Sequence, residues 1–330
     1  MKTGISLKNK DIRAFAAESA LFWVRAMFSQ AAGTREGKDI EHLHDMRVAS
    51  RRLRECFQVF KAFYAPKKLK NVLSSVRKIT RVLGRPRETD VNVSLLAAYQ
   101  PGPSPILSTT HEYLLEIFEF EQARQRRKML KQVGKIDQDA LESMLSRFAE
   151  TARTSRSRPS LLTQVGQELE FEGFLSICTR DLRQNAATIF AFEAAPSEEE
   201  YETRLHDLRI NTKKLRYRLE LLNAAYDQRF GPVIRLAKDL QDVIGWAHDY
   251  GVLIVQLESH RRYLTQNGRM RLARGCQRTI ADFTALKDSY LDRVDPARIR
   301  FLQELAGLDL APESQIHPGP GRIERQAFSG

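Results

Sequence analysis

Apolar residues recur at intervals of three and four positions along nearly all of this 330-residue sequence. That spacing covers one face of an α-helix, whereas a half-buried β-strand alternates apolar and polar residues. We find no alternating run that is bounded by turn residues. The chain is therefore predicted to be all-α, with about a dozen helices separated by breaks that contain proline or glycine.

Helix starts are indicated at four places by a capping residue or a proline. The predicted starts are Asp39 before a helix over 40–64, Pro66 before 67–84, Thr109 with Glu112 before 110–133, and Ser197 with Glu200 before a later helix. Residues 311–330 are rich in Pro and Gly and lack apolar periodicity, so we expect them to form a mobile tail.

The composition is that of a soluble globular protein, with 42% hydrophobic and 28% charged residues. No apolar run approaches the roughly 18 residues of a membrane span, and the N-terminus lacks the apolar stretch of a secretory signal. Cys56, Cys178 and Cys276 are odd in number and far apart, which is typical of reduced thiols. We therefore expect a cytoplasmic protein without a membrane partner.

Two segments of the sequence are similar to each other without a gap. Residues 40–60 read IEHLHDMRVASRRLRECFQVF, and residues 202–222 read ETRLHDLRINTKKLRYRLELL. The segments that follow them also match weakly, through the pair Gly84 and Gly245. The chain is therefore predicted to consist of two related helical halves, 1–157 and 158–310, followed by the tail.

The basic residues of each repeated segment lie on one face of the predicted helix. With His44 at zero and about 100° per residue, Arg47 falls near ~300°, Arg51 near ~340° and Arg54 near ~280°. The second copy repeats this arc with His206, Arg209, Lys213 and Arg216. The opposite arcs are apolar and are predicted to be core, with Leu53, Phe57, Phe60, Leu215, Leu219 and Leu222. Each helix thus has a cationic stripe about 15 Å long.

The formal net charge of +12 makes an anionic partner plausible. Cations three and four residues apart repel each other, and the stripes contain no acid on the same arc, so an anion would compensate them. Because the rows follow the helix axis, we expect a long, repetitively charged ligand such as inorganic polyphosphate. Nucleic acid is the alternative, but the stripes have few aromatic, Asn or Gln residues for contacting bases.

The segments LHDMRVASRRLR and LHDLRINTKKLRY resemble the signature of the CHAD family, the conserved histidine α-helical domain. LGRPRETDV at 83–91 and LQDVIGWAHDYGVL at 240–253 resemble two further elements of that family, and the resemblance covers roughly 15–305. It implies two helical bundles related by a pseudo-twofold axis, with a central basic pore or cavity that binds polyphosphate. It also implies association with polyphosphate granules.

The resemblance further implies which residues bind polyphosphate. The expected set is His44, Arg47, Arg51, Arg52, Arg54, Arg77, Lys78, Arg81, His206, Arg209, Lys213, Lys214, Arg216 and Lys238. Glu88 and His248 depart from the family pattern. The segments 83–91 and 245–252, interpreted as loops, are therefore left out of the expected contacts.

We expect binding without catalysis. A phosphohydrolase is the weaker alternative, because such enzymes hold Mg²⁺ with clustered carboxylates and the basic faces show no such cluster. No cofactor and no metal are expected, since His42 and His44 point to different faces of their helix and no His-Glu-x-x-His motif occurs.

Overall fold

The computed structural model describes residues 12–155, 167–192, 198–223 and 228–308. Within these ranges the chain is all-α, as predicted, and contains no β-strand. The helices are α1 (Ile12–Phe28), α2 (Ala31–Glu36), α3 (Ile40–Val59), α4 (Pro66–Val82), α5 (Gly84–Ala98), α6 (Pro105–Val133), α7 (Gln138–Glu150), α8 (Gln167–Phe190), α9 (Glu198–Leu222), α10 (Gly231–Gln266), α11 (Met270–Leu291) and α12 (Val294–Ala306), with a short 3₁₀ turn at Lys61–Phe63.

Two of the predicted helix starts are confirmed. The side chain of Asp39 accepts a hydrogen bond from the backbone N–H of Glu41 at 2.8 Å, so it caps α3. Pro66 occupies the first turn of α4, where its missing N–H leaves no hydrogen bond unmade. Ser197, the other predicted cap of a basic helix, lies outside the described residues, as does the predicted tail at 311–330.

The predicted start of α6 at Thr109 is wrong. The helix already begins at Pro105, and the hydroxyl of Thr110 donates to the backbone oxygen of Ile106 at 2.7 Å inside its first turns. Proline at the first helical position is a stronger start signal here than the Thr-x-x-Glu pattern, because its fixed φ already suits a helix.

The interpretation of 83–91 and 245–252 as loops is also wrong. The first segment forms the start of α5, and the second lies inside α10. Pro86 falls in the first turn of α5, where the backbone N–H groups have no intrahelical partner, so it does not break the helix. Both segments therefore offer side chains at helical spacing to the neighbouring basic helices.

Two hydrophobic cores hold the described residues together. The larger joins α1–α4, the end of α6, α7–α9, α12 and the first half of α10, and it contains all six core residues predicted from the two stripes. The smaller joins α5, α6, α11 and the second half of α10. Each core contains residues from both sides of the predicted boundary at 157/158, and the two-half division stays a prediction.

The larger core brings the two basic helices side by side. Helix α3 packs against α1, α4, α5 and α9, and α9 packs in turn against α8 and α10. The hydroxyls of Ser50 and Thr80 are 2.8 Å apart and link α3 to α4. Arg47 and Arg51 of α3 lie close enough to Arg209 and Lys213 of α9 for their charges to interact, so the two cationic arcs adjoin each other.

The three cysteines, Cys56, Cys178 and Cys276, are free and buried, as expected for reduced thiols. Burial raises the pKa of each of these thiols. Among the helices that the structure describes, none combines the length and the apolar character that crossing a membrane requires.

Candidate functional site

Four cations from α3 and α9 converge between the two helices. Burial, followed by the charges of Arg51 and Arg209, lowers the pKa of Arg47 to about 10. Burial likewise lowers the pKa of Lys213 to about 6, with Arg51, Arg209 and Arg47 as the next contributors. A shift of this kind requires close cations in a poorly hydrated place. We call Arg47, Arg51, Arg209 and Lys213 the central cluster.

His44, Arg54 and Arg77 extend the central cluster along α3. Burial lowers the pKa of His44, and nearby cations add to this effect. Burial also lowers the pKa of Arg54; Glu55 opposes the shift, while Arg77 from α4 and Arg51 add to it. The cationic stripe predicted for α3 is therefore continuous with one basic residue of α4.

A cavity of about 510 Å³ lies beside the central cluster, between α9 and α10. It is lined by Glu202, Thr203, Leu205, His206, Arg209, Ile244 and His248. The rings of His206 and His248 are 6.4 Å apart. Burial lowers the pKa of His248 to about 4, helped by the charges of Arg209 and His206. The cavity is thus an open recess whose wall includes Arg209 of the central cluster.

Arg87 and Asp249 belong to this site, although neither was in the expected set. Burial raises the pKa of Asp249, and the neighbouring cations Arg209 and Arg87 oppose that shift. Arg87 also lowers the pKa of His44, after the larger effect of burial. Helix α5 supplies Arg87 and α10 supplies Asp249 and His248. Arg87 lies within 83–91, and His248 and Asp249 lie within 245–252. Interpreting these segments as helices would have placed the three side chains beside the basic helices, which the loop interpretation did not do.

Arg52 and Arg216 have partners inside the protein. Arg52 Nη2 lies 2.8 Å from Glu220 Oε2, and Arg216 Nε lies 3.7 Å from Glu220 Oε1. The guanidinium of Arg52 lies 4.8 Å from the ring centre of Trp23, and that of Arg216 lies 5.0 Å from the ring centre of Tyr217. Arg52 joins α3 to α9, whereas the contacts of Arg216 lie within α9, and Glu220 partly neutralises both arginines.

The remaining expected residues lie at the exposed edge. Lys78, Arg81, Lys214 and Lys238 are all exposed. Lys238 and Arg216 both counter the burial that raises the pKa of Asp242 on α10. The structure therefore places the expected set in four groups: the central cluster with its extension, the Glu220-bound pair, an outer rim, and His206 in the cavity wall.

The fold and the basic site define a class of all-helical proteins with known members. Residues 22–258 match the CHAD domain family, and the chain belongs to that family. No curated protein sequence matches the chain.

Two solved structures share the fold. The CHAD domain from the plant Ricinus communis superposes with a TM-score of 0.66 at 18% identity, over 90% of this chain and 96% of that one. PptA from Streptomyces chartreusis superposes with a TM-score of 0.56 at 12% identity, over 90% of this chain and 100% of that one. At these identities the likeness concerns the fold alone.

Proposed function

We propose that this protein binds inorganic polyphosphate at the central cluster without cleaving it. The observation that carries the proposal is the convergence of Arg47 and Arg51 of α3 with Arg209 and Lys213 of α9, where burial and then four arginines lower the pKa of Lys213 to about 6. An unliganded protein gains nothing from crowding these charges together, whereas an anion between α3 and α9 would compensate them. Asp249 offsets part of this charge.

The hydrogen-bonding state of the arginines supports an oxyanion as the partner. Nε of Arg47 and Nε of Arg209 are among six arginine Nε atoms that are buried and have no hydrogen-bond partner among the described residues. A buried donor without an acceptor costs about 1–3 kcal/mol, and the cost is higher for a charged group. Phosphate oxygens are acceptors that suit the planar guanidinium.

The extent of the site supports a long ligand. The cationic row on α3 runs from His44 to Arg54, about 15 Å along the helix axis. The second row, on α9, continues into the cavity with His206. A single phosphate would meet only part of these cations, whereas a linear chain of phosphates would contact both rows. The resemblance to the CHAD family implies the same ligand, a basic pore between related halves, and association with polyphosphate granules.

Nucleic acid is the second candidate, and one observation favours it. Trp246 on α10 is 44% exposed and stacks on Tyr290 at a ring distance of 6.1 Å. Exposed aromatic rings of this kind can stack with unpaired bases. Trp246 is two residues from His248, but on the other side of α10, so a base there would lie away from the central cluster.

A direct competition separates the two candidates. Fluorescently labelled long-chain polyphosphate would be titrated with the protein, and unlabelled single-stranded and duplex DNA would compete in the same salt. We expect polyphosphate to bind at least about tenfold more tightly, with an affinity that falls steeply as salt rises. Equal affinities for polyphosphate and DNA would favour the nucleic-acid alternative. Phosphate release from the same polymer with added Mg²⁺ would contradict binding without cleavage.

A further inference from the structure

Two glycines in this protein are required by close packing. A Cβ atom on Gly33 would lie 2.2 Å from Cδ2 of His42, and a Cβ atom on Gly275 would lie 2.0 Å from Oγ1 of Thr110. Both distances are far below a van der Waals contact, so any larger residue would require His42 or Thr110 to shift. The fold itself explains why these positions are glycine.

Gly245 is different, because nothing in the fold requires it. It lies in the interior of the 36-residue helix α10 and does not have a positive φ. A Cβ atom added there would meet no atom within 4 Å, although the residue is half-buried. Glycine in a helix interior destabilises the helix relative to alanine. Folding alone would therefore favour a larger residue at this position.

The open space at Gly245 faces the cationic site. With Gly245 at zero on the helical wheel, His248 falls at about −60° and Asp249 at about +40°, both within one turn. Arg209 acts on the pKa of both His248 and Asp249. Gly245 thus lies on the helical wheel between His248 and Asp249, the two residues whose pKa Arg209 affects. This is the side of α10 that faces α9. The residue before it, Ile244, lines the cavity.

A second glycine repeats this arrangement beside α3. Gly84 is the residue that aligns with Gly245 in the weak continuation of the repeat. A Cβ atom on Gly84 would lie 3.9 Å from Nη2 of Arg47, which is an ordinary contact. Packing does not require glycine there either. At Gly84 a helix surface without a side chain thus adjoins a cation of the central cluster, and at Gly245 the space beside the helix is open.

We infer that Gly245 sets the width of the passage between α9 and α10 and that the phosphate chain occupies the space a side chain would fill. This inference rests on the proposed function, because it assigns the ligand's path within the same site. A bare helix surface lets a slender, unbranched phosphate chain approach Arg209 closely. A wider polyanion such as duplex DNA does not fit a recess of about 510 Å³.

The test is a series at position 245 that changes volume without changing charge. Gly245→Ala, Gly245→Val and Gly245→Leu would be titrated with labelled long-chain polyphosphate beside the wild-type protein. Ser259→Leu, at an exposed position about 21 Å farther along the same helix, is the matched control. Circular dichroism and the thermal midpoint would establish that each variant is folded.

We expect affinity to fall in steps with side-chain volume, by about threefold for alanine and about tenfold or more for leucine, with the control unchanged. We also expect Gly245→Ala to melt at a higher temperature than the wild-type protein. If leucine prevents folding, the alanine and valine variants still give the comparison. Equal affinity across the folded variants would overturn the inference and leave the proposed function standing. A wild-type protein that binds no polyphosphate would overturn both.

Discussion

Nη2 of Arg52 on α3 lies 2.8 Å from Oε2 of Glu220 on α9, and this ion pair joins the two basic helices beside the central cluster. Both side chains are about one-fifth exposed, at 21% and 22%. Glu220 also lies 3.7 Å from Arg216. One acid thus holds an arginine from each helix, a turn or so away from the central cluster.

Replacing Glu220 tests this separation of roles. We expect Glu220→Gln to lower the free energy of unfolding by about 1–3 kcal/mol, because two partly buried arginines lose their acid. Urea unfolding followed by circular dichroism measures the change. Asp295→Asn, which disrupts the more exposed pair with Arg298, is the control and should have little effect. An unchanged stability in Glu220→Gln would show that the pair does not hold α3 to α9.

Reversing charge in the central cluster should abolish tight binding without unfolding the protein. Arg47→Glu combined with Arg209→Glu removes two charge-assisted contacts and adds repulsion, which we expect to cost at least about 3 kcal/mol, or ~100-fold in Kd for polyphosphate. Calorimetric titration measures the loss, and circular dichroism should show unchanged helicity.

The matched control for that double variant is Arg271→Glu combined with Arg274→Glu. Both residues are exposed on α11, so the net charge changes equally while the central cluster is intact. A similar loss of affinity in both double variants would mean that only overall charge matters. Unaltered affinity in the Arg47 and Arg209 variant would place the ligand elsewhere.

Polyphosphate binding should strengthen as the pH falls from 8.5 toward 6. Burial and neighbouring arginines lower the pKa of Lys213 to about 6, so the free protein holds this amine largely neutral at higher pH. A bound polyanion favours the ammonium form and raises that pKa, so binding takes up a proton. Calorimetry in buffers of different ionisation enthalpy measures the uptake.

Lys213→Arg is the informative variant for this pH dependence. Arginine keeps the positive charge over the whole range, so the variant should bind with a smaller change between pH 6 and 8.5. Lys214→Arg, at the neighbouring exposed position, should retain the dependence of the wild-type protein. An identical pH dependence in all three proteins would contradict the assignment to Lys213.

Removing the charge at Lys213 should stabilise the ligand-free protein. The folded pKa of Lys213, about 6, lies below its ordinary value of 10.5, so the unfolded chain binds more protons between these values. Between pH 6 and 10.5 the free energy of unfolding is therefore lowered, because Lys213 loses its proton when the chain folds. The stability of the folded state rises as the pH rises from 6. We expect Lys213→Met to add about 1–4 kcal/mol near pH 7 and to weaken polyphosphate binding.

Thermal unfolding at several pH values measures this effect. The wild-type midpoint should rise with pH between 6 and 8.5 more than the midpoint of Lys213→Met. Lys214→Met is the control and should change neither the stability nor its pH dependence. A destabilised Lys213→Met protein would show that the amine contributes to the fold rather than to a ligand site.

The local features of the fold were predictable because they depend on neighbouring residues. Asp39 and Pro66 act at the helix starts where the sequence placed them, since capping involves contacts within one turn. The apolar arc with Leu53 and Leu215 is buried as expected. The loop interpretation around Pro86 failed because proline marks a break only outside the first turn of a helix.

The sequence by itself determined that α3 and α9 each carry an apolar and a cationic arc, because helical spacing fixes which side chains share a face. Tertiary packing decided what surrounds those arcs. It placed Arg87, His248 and Asp249 beside the central cluster. It also paired Glu220 with Arg52 and Arg216 rather than with Lys213. The physical reason is that burial and charge coupling depend on distances between helices far apart in the chain, which no local pattern contains.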